Sequence, residues 1–573
     1  MTVRAPSSTS STARRVPLCP LQSRTGLRAL IPLFALALLG AGCGTQEPAE
    51  AASHFAGPPD PVTFPDSWSF PADQAPTEAA NGMVSTTDRY ATEVGLDILR
   101  AGGNAVDAAI ATSFALAVVN PSAGNIGGGG FMVVRFADGQ NAALDYREKA
   151  PGAAHRDMYL DEDGELTDAS VLGHLASGVP GTVMGMWEAH RRFGTMDWEA
   201  LVAPAVALAE GLVMEERLAR SLSGSRRSLS LYDSTREIFL PGGEPPAVGD
   251  TFRQTDLAAT LARIRDEGPH GFYRGRTADL IVEEMNRGGG IITHRDLEEY
   301  TAAWRDPVEF TYRGHTVFSM PPSSSGGVTM AEMANILEAH DLRSLGWHSP
   351  EMVHLLAESW KRSYSDRNEY LADPDYVNMP LARMMSKEYA RERGGDITMA
   401  WATPSSEVGP GLGDPRTGTN TTHYSIVDAD GNAVAVTTTI NSGFGSKVTV
   451  RGAGFLLNNE MDDFAAKPGT PNQFGLVQGE NNAIEPGKRM LSAMTPSIVL
   501  DPDGRLLMVT GTPGGSTIIT TAFQTISNVI DFGMTVTQAV NAPRVHHQHL
   551  PDQIYFESGG LRPEVVAALE ALG

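Results

Sequence analysis

Residues 417–441, TGTNTTHYSIVDADGNAVAVTTTIN, constrain the fold of this chain more tightly than any other stretch. Two strand-like runs, 422–428 and 433–440, flank Asp428-Ala429-Asp430-Gly431-Asn432. Such runs read as strands, and a three-residue loop with glycine in the left-handed position closes a hairpin between them. That loop pairs Asp428 with Asn432 and carries Thr421 to a position opposite Thr439. The preceding residues, 402–420, are rich in proline and glycine and read as a loop. A small, polar stretch thus delivers a threonine to the start of a strand. An arbitrary threonine there is simply a residue that suits a sheet edge. If the bond between Asn420 and Thr421 is cut, however, Thr421 gains an α-amine with a pKa of about 7.7–8.0, able to serve as the base for its own hydroxyl.

The pattern around this hairpin is mixed. Residues 87–100 and 105–118 have the spacing and composition of helices, separated by Gly102-Gly103, and 131–136 and 142–146 read as strands about a turn at Gly139. The middle, 175–402, reads as mostly helical. Within it, Pro321-Pro322-Ser323-Ser324-Ser325-Gly326-Gly327 reads as a loop that starts the following helix, with ligand contact as the second reading. From residue 421 the texture is β, with further strands expected at 454–457, 497–500 and 506–510. No repeat of fixed period is present. A length of 573 residues with 41% hydrophobic and 20% charged residues accommodates a large core. The net charge of −24 favours solubility and disfavours nucleic acid as a partner.

The first 42 residues carry five arginines and no acid, so their removal leaves about −29. Arginines precede an apolar run, 29–42, that is too short to span a bilayer and ends in small residues, as in an export signal. Leu38-Leu39-Gly40-Ala41-Gly42-Cys43 resembles a bacterial lipobox, with Gly40 where a leucine is usual, which makes Cys43 the expected lipidation site. The other cysteine, Cys19, lies within the signal, so no disulfide, cysteine-based metal site or thiol nucleophile is available downstream of Cys43. Residues 43–81 read as a flexible tether. The expected location is the bacterial envelope, periplasmic or held to the membrane only by lipid.

Several motifs together resemble γ-glutamyltranspeptidases, members of the N-terminal nucleophile hydrolases. They are Asn420-Thr421-Thr422-His423-Tyr424-Ser425, Leu456-Leu457-Asn458-Asn459-Glu460-Met461-Asp462-Asp463-Phe464 and Thr512-Pro513-Gly514-Gly515-Ser516. Gly103-Asn104-Ala105-Val106-Asp107-Ala108, Gly127-Gly128-Gly129-Gly130-Phe131, Asp145-Tyr146-Arg147-Glu148, Asp366-Arg367 with Tyr370-Leu371-Ala372-Asp373-Pro374, and Pro543-Arg544-Val545-His546-His547-Gln548 extend the match over residues 82–573. The resemblance implies an α+β fold, a four-layer αββα sandwich. It also implies a precursor that cuts itself before Thr421 into a large subunit, 82–420, and a small subunit, 421–573. Thr421 would be the nucleophile and Thr439 the partner of its hydroxyl, with Thr422 structural.

By the same resemblance, the N–H groups of Gly514 and Gly515 form the oxyanion hole, a role that suits glycine because the backbone approaches closely. The substrate is a γ-glutamyl compound such as glutathione, whose acyl group passes to water or to an amino acid or peptide. Its α-carboxylate would meet Arg147, helped by Ser492, and its α-ammonium would meet Asn441, Glu460 and Asp463. The bland reading makes Arg147 and Asp463 surface ion-pair partners. No cofactor and no metal are expected. Gly127–Gly130 precedes a strand and lacks the Lys-Ser/Thr ending of a phosphate loop, and His546, His547 and His549 read as structural.

Three departures from the family pattern stand out. Ala493 replaces the second of two serines, Phe474 stands in the lid-like loop 468–479 where some members have tyrosine, and relatives are expected to continue into further strands beyond Gly573. The small subunit is thus expected to be truncated. The rival readings are an amidase of the same fold, similar to glutaryl-cephalosporin acylase, and a non-catalytic, unprocessed envelope lipoprotein.

Overall fold

A strand that is buried on both faces must present apolar side chains to two different layers, and this is what the central strands do. The computed structural model describes residues 62–411, 422–473 and 478–573. All of these fall within one contact unit, Pro59–Gly573. The strands that build the site are β1 (Met83–Ser85), β2 (Gly129–Arg135), β3 (Asn141–Asp145), β4 (Ala303–Arg305), β5 (Val308–Tyr312), β6 (His315–Ser319), β7 (Thr422–Val427), β8 (Ala433–Thr439), β9 (Ser497–Leu500) and β10 (Leu506–Thr510). The larger sheet runs β1-β7-β8-β2-β3-β4 and the smaller β10-β9-β6-β5.

Alternation assigns the faces. Phe131, Val133, Ala143, Ala433 and Ala435 point toward Phe318, Met494 and Ile498 and form the layer between the sheets. Met132, Val134, Leu144, Val434 and Val436 point the other way, into a core with the helices α1 (Arg89–Arg100), α2 (Ala105–Val119) and α3 (Trp198–Glu210). On the far side, Val308, Phe310 and Val317 pack against α4 (Gly326–Leu337), α5 (Pro350–Tyr370) and α6 (Thr517–Ile530). The result is a four-layer αββα sandwich, with helices outside and two sheets inside. Every residue of α2 is buried, and its alanines let it lie close to its neighbours: a Cβ on Gly95 of α1 would come within 2.6 Å of Thr112 Oγ1. Asn104 caps α2, with Asp107 returning the bond in a capping box.

The hairpin has the register its turn dictates. Asp428 N–H donates to Asn432 O at 3.1 Å, Gly431 has φ of 85°, and β7 and β8 pair from Val427↔Ala433 to Thr422↔Thr438. Asp428 also fixes the turn to the rest of the fold, because its Oδ2 accepts the N–H of Ala105 at the start of α2 at 2.9 Å.

The middle of the chain is mostly helical, as expected, and also supplies β4, β5 and β6, with β5 and β6 joined through Arg313 and Gly314 at φ of 51° and 79°. Two expectations change. Residues 454–457 form no strand, because Gly452 and Gly454 turn the chain at positive φ and leave only a bridge, Thr449↔Leu456. The stretch read as a tether is docked over its described part: Val62 and Phe64 pack against the far core, and Trp68 Nε1 donates to Asn541 O at 2.7 Å. The Pro-Pro-Ser-Ser-Ser loop does start a helix, α4, at Gly326.

Candidate active site

The last residue of β8, Thr439, is buried and paired with Gly129 of β2. Four glycines make room for it. A Cβ on Gly127 would meet Leu456 O at 2.1 Å, on Gly128 Thr439 O at 2.1 Å, on Gly129 Tyr146 O at 2.6 Å and on Gly130 Thr437 O at 2.5 Å. The Gly127–Gly130 run is therefore a close-packing device. Asn125 reinforces it, donating Nδ2 to Thr439 O at 2.7 Å and accepting from Gly128 N–H at 2.9 Å.

Thr439 Oγ1 accepts the N–H of Asn441 at 2.7 Å, and Asn441 takes a left-handed φ of 67° as the chain leaves the sheet. Asn441 Nδ2 then donates to Asn459 O at 2.9 Å, which joins the strand end to the short turn Glu460–Asp463. Asn458 pins that turn from behind, with Nδ2 donating to Gly127 O and Gly178 O, each at 2.8 Å.

Arg147 enters from the end of β3. Its side chain is fully buried and forms ion pairs with Glu460 through Nη1 and with Asp463 through Nη2. Nε donates to Met490 O at 3.2 Å, and Glu148 Oε2 lies 3.5 Å from Nη1. The surface ion-pair reading is thereby overturned, since a buried pair of this kind is costly to break. Burial opposes the charge on Arg147, but Glu460, Asp463 and Glu148 together hold its pKa above the ordinary value. Burial pushes Glu460 well above the carboxylate range and Glu148 up to about 7, in both cases against the pull of Arg147. Four acceptor oxygens in this cluster, Asn441 Oδ1, Glu148 Oε1, Glu460 Oε2 and Asp463 Oδ1, are buried without a partner among the described residues.

Ser492 lies on the wall that Arg147 reaches through Met490. Its N–H donates to Ser323 O at 3.0 Å, and its carbonyl accepts both the N–H and the hydroxyl of Ser325, at 2.7 and 2.6 Å. Its own Oγ accepts from Met494 N–H at 3.1 Å, and the neighbouring Ala493 is buried. Gly514 and Gly515 follow β10 with φ of 134° and 73°, and neither N–H donates to an acceptor among the described residues. The residue after them is held by α5, where the Tyr364 hydroxyl donates to Ser516 O. Asn420, Thr421, Phe474 and Cys43 lie outside the described residues.

Asn125, Glu148, Ser323, Ser325 and Asn458 are the parts of this site that sequence reading did not assign a role. Asn458, Asn125 and the serines act mainly through the backbone, a function with no composition signal of its own. The histidines each have a partner: His546 Nδ1 with Thr520 Oγ1 at 2.8 Å, His547 with Asp552 at 3.3 Å, and His549 with the carbonyls of Ser405 and Val408.

Comparison with known proteins decides the family. The Gamma-glutamyltranspeptidase profile matches residues 91–573. This chain is a member of the γ-glutamyltranspeptidase family. The glutathione hydrolase proenzyme of Pseudomonas sp. (strain A14) is 49% identical to it over 505 residues, covering 88% of each chain. That of Escherichia coli (strain K12) is 48% identical over 502 residues, covering 87% of this chain and 86% of its own. Among solved structures, the cephalosporin acylase from Bacillus halodurans superposes with a TM-score of 0.77 at 29% identity, over 89% of this chain and 92% of that one. The αββα sandwich described above is thus the N-terminal nucleophile hydrolase fold of this family.

Proposed function

We propose that this family member is a self-cleaving γ-glutamyltransferase and hydrolase. It cuts its own chain before Thr421 and then uses the new N-terminal threonine to attack the γ-glutamyl amide of glutathione and related donors. In the first step the Thr421 hydroxyl adds to the carbonyl of Asn420, the acyl group moves from N to O, and water releases two chains, one ending at Asn420 and carrying the large subunit, the other 421–573. In the cycle the same hydroxyl, with the freed α-amine as base, forms an acyl ester and expels the donor's amine. Water or an amino acid or peptide then takes the acyl group. Thr439 is the partner of the nucleophile, and the N–H groups of Gly514 and Gly515 receive the oxyanion.

The observation that carries the γ-glutamyl reading is the set of orphan acceptors, Asn441 Oδ1, Glu460 Oε2 and Asp463 Oδ1, beside a buried guanidinium. A group that arrives with both an ammonium and a carboxylate exchanges the internal ion pair for two external ones, so no charge is left uncompensated. A glutaryl group has no ammonium to offer those oxygens, which disfavours the acylase reading. Retention of Thr439, Gly514 and Gly515 together with this cluster disfavours the non-catalytic one. The basic, apolar N-terminus supports export with lipidation at Cys43, and no helix among the described residues is long and apolar enough to cross a membrane.

The test is the intact mass and N-terminal sequence of protein purified without its signal, beside Thr421→Ala. The expected result is two chains, the second starting at Thr421, and a single chain in the variant, with γ-glutamyl-anilide cleaved in preference to glutaryl-anilide. One uncut chain in both proteins, or preference for the glutaryl donor, refutes the proposal.

A further inference from the structure

Arg147 has its donors taken by protein groups, but a second guanidinium at this site does not have a carboxylate. Arg367, on α5, is 1% exposed. Its Nε donates to Ser325 Oγ at 2.9 Å and its Nη1 to Asn368 Oδ1 at 2.9 Å, both neutral, and it forms no ion pair among the described residues. The acid next to it in sequence serves elsewhere: Asp366 accepts from Tyr389 Oη at 2.7 Å and Gly411 N–H at 2.6 Å, and forms an ion pair with Arg393, whose Nε lies 2.9 Å away.

Neutral acceptors solvate a guanidinium without cancelling its charge, and a buried charge is expensive unless something cancels it. Burial pulls Arg367 down to about 10, which is the signature of that cost. Its surroundings say where the charge is directed. Ser325, which it holds, clasps the carbonyl of Ser492 through both N–H and Oγ, at 2.7 and 2.6 Å. On the other side its field reaches Asp463, whose carboxyl it helps to keep ionised against burial. Arg367 therefore stands behind the Ser492 wall and within electrostatic reach of the acid that pairs with Arg147.

We propose that Arg367 is a positioning and specificity-determining residue, which supplies the uncancelled positive charge that draws the donor's α-carboxylate to the Ser492 wall and holds that wall in place through Ser325. Arg147 is then left to organise Glu460 and Asp463 for the ammonium, sharing the carboxylate rather than receiving it alone. The inference rests on the γ-glutamyl reading above and divides its carboxylate recognition between two arginines. No covalent step changes.

The experiment compares processed wild type with Arg367→Met, Arg367→Lys and Ser325→Ala on three anilides: γ-glutamyl, glutaryl, which lacks the ammonium, and 4-aminobutyryl, which lacks the carboxylate. KM and kcat are measured separately. In Arg367→Met, KM for the two carboxylate donors is expected to rise about tenfold or more, the range for a lost charged contact, with a clearly smaller rise for the 4-aminobutyryl donor, which feels the loss only through Asp463. Arg367→Lys keeps the charge and should keep the ratio between donors within about threefold, while Ser325→Ala should shift it less than Arg367→Met, on the same scale of contact energies. Equal losses on all three donors, or a fall in kcat alone, overturn the proposal and leave Arg367 a packing residue. If Arg367→Met yields only uncut chain, Arg367→Lys and Ser325→Ala decide: a donor ratio lost in the lysine variant, or unmoved in the serine variant, overturns it. A wild type that prefers glutaryl or 4-aminobutyryl donors overturns the γ-glutamyl reading instead, a distinct outcome.

Discussion

Replacing Arg147 by methionine keeps most of the aliphatic stem but removes the charge that Glu460 and Asp463 contact and Glu148 approaches. Three buried carboxyl groups then face one another with no guanidinium between them. Removing one partner of a buried ion pair costs about 3–5 kcal/mol. The protein has one escape, which is to take up a proton. Protonating a carboxyl of ordinary pKa about 3.9 costs about 1.4 kcal/mol per pH unit, hence about 1.5 kcal/mol at pH 5 and about 5.5 at pH 8. The penalty is the smaller of the two routes, about 1.5 kcal/mol at pH 5 and about 4 kcal/mol at pH 8. The sign follows from linkage: in the variant these carboxyl groups have folded-state pKa values above their unfolded ones, so stability is present at low pH and lost as pH rises. Thermal unfolding should be compared at pH 5, 6.5 and 8, with both proteins carrying Thr421→Ala so that each is a single chain. The gap in Tm between Arg147→Met and its parent is expected to widen steadily with pH. A gap that stays level, or narrows, refutes the claim that Arg147 compensates a buried excess of carboxylates.

Thr439→Val preserves shape but deprives Asn441 N–H of its acceptor, a loss of about 1–3 kcal/mol for a buried donor, and should raise donor KM about tenfold through misplacement of Asn441; steady-state kinetics check it. Gly128→Ala should give no soluble, processed protein, because its Cβ would sit 2.1 Å from Thr439 O, backbone that cannot rotate away; expression and chain separation on a gel are sufficient. Burial lowers His348 and His423 to about 3 and His546 to about 4, so the unfolded chain binds protons that the folded one refuses. Stability should therefore fall as pH drops below about 6.5, and His423→Gln should flatten that decline, measured as Tm against pH.

The hairpin and its register are legible in the sequence because a turn of fixed length leaves one pairing that buries Tyr424, Ile426, Val434 and Val436 together. Strands β5 and β6 were equally written there. Val308–Tyr312 alternates buried and exposed, and Arg313-Gly314 is a two-residue turn at positive φ, but the surrounding helices mask so short a signal. Residues 454–457 failed in the opposite way, since apolar composition alone does not distinguish a strand from a buried loop bent by glycine. At the site, family motifs point to Arg147, Glu460 and Asp463, but not to their pairing with one another, which depends on where β3 ends relative to a turn more than 300 residues later. Arg367 stands in a family motif and Ser325 in a loop with ligand contact as its second reading, but what each holds is written only in the fold.

The order of strands in the larger sheet has a consequence for how the protein can be remade. β7 and β8 lie between β1 and β2, so a cut before Thr421 leaves one chain threaded through the middle of a sheet built by the other. Neither chain then possesses a complete sheet of its own. The uncut precursor forms these pairings within a single molecule, at a cost set by loop closure. Once cut and denatured, the same pairings require two separate molecules to meet, at the larger cost of association. Renaturation of the precursor should be independent of protein concentration, whereas that of the processed form should depend on it steeply. Cleavage would thus act as a ratchet: the chain assembles easily once, and the finished molecule endures by the slowness of its unfolding rather than by its ability to fold again.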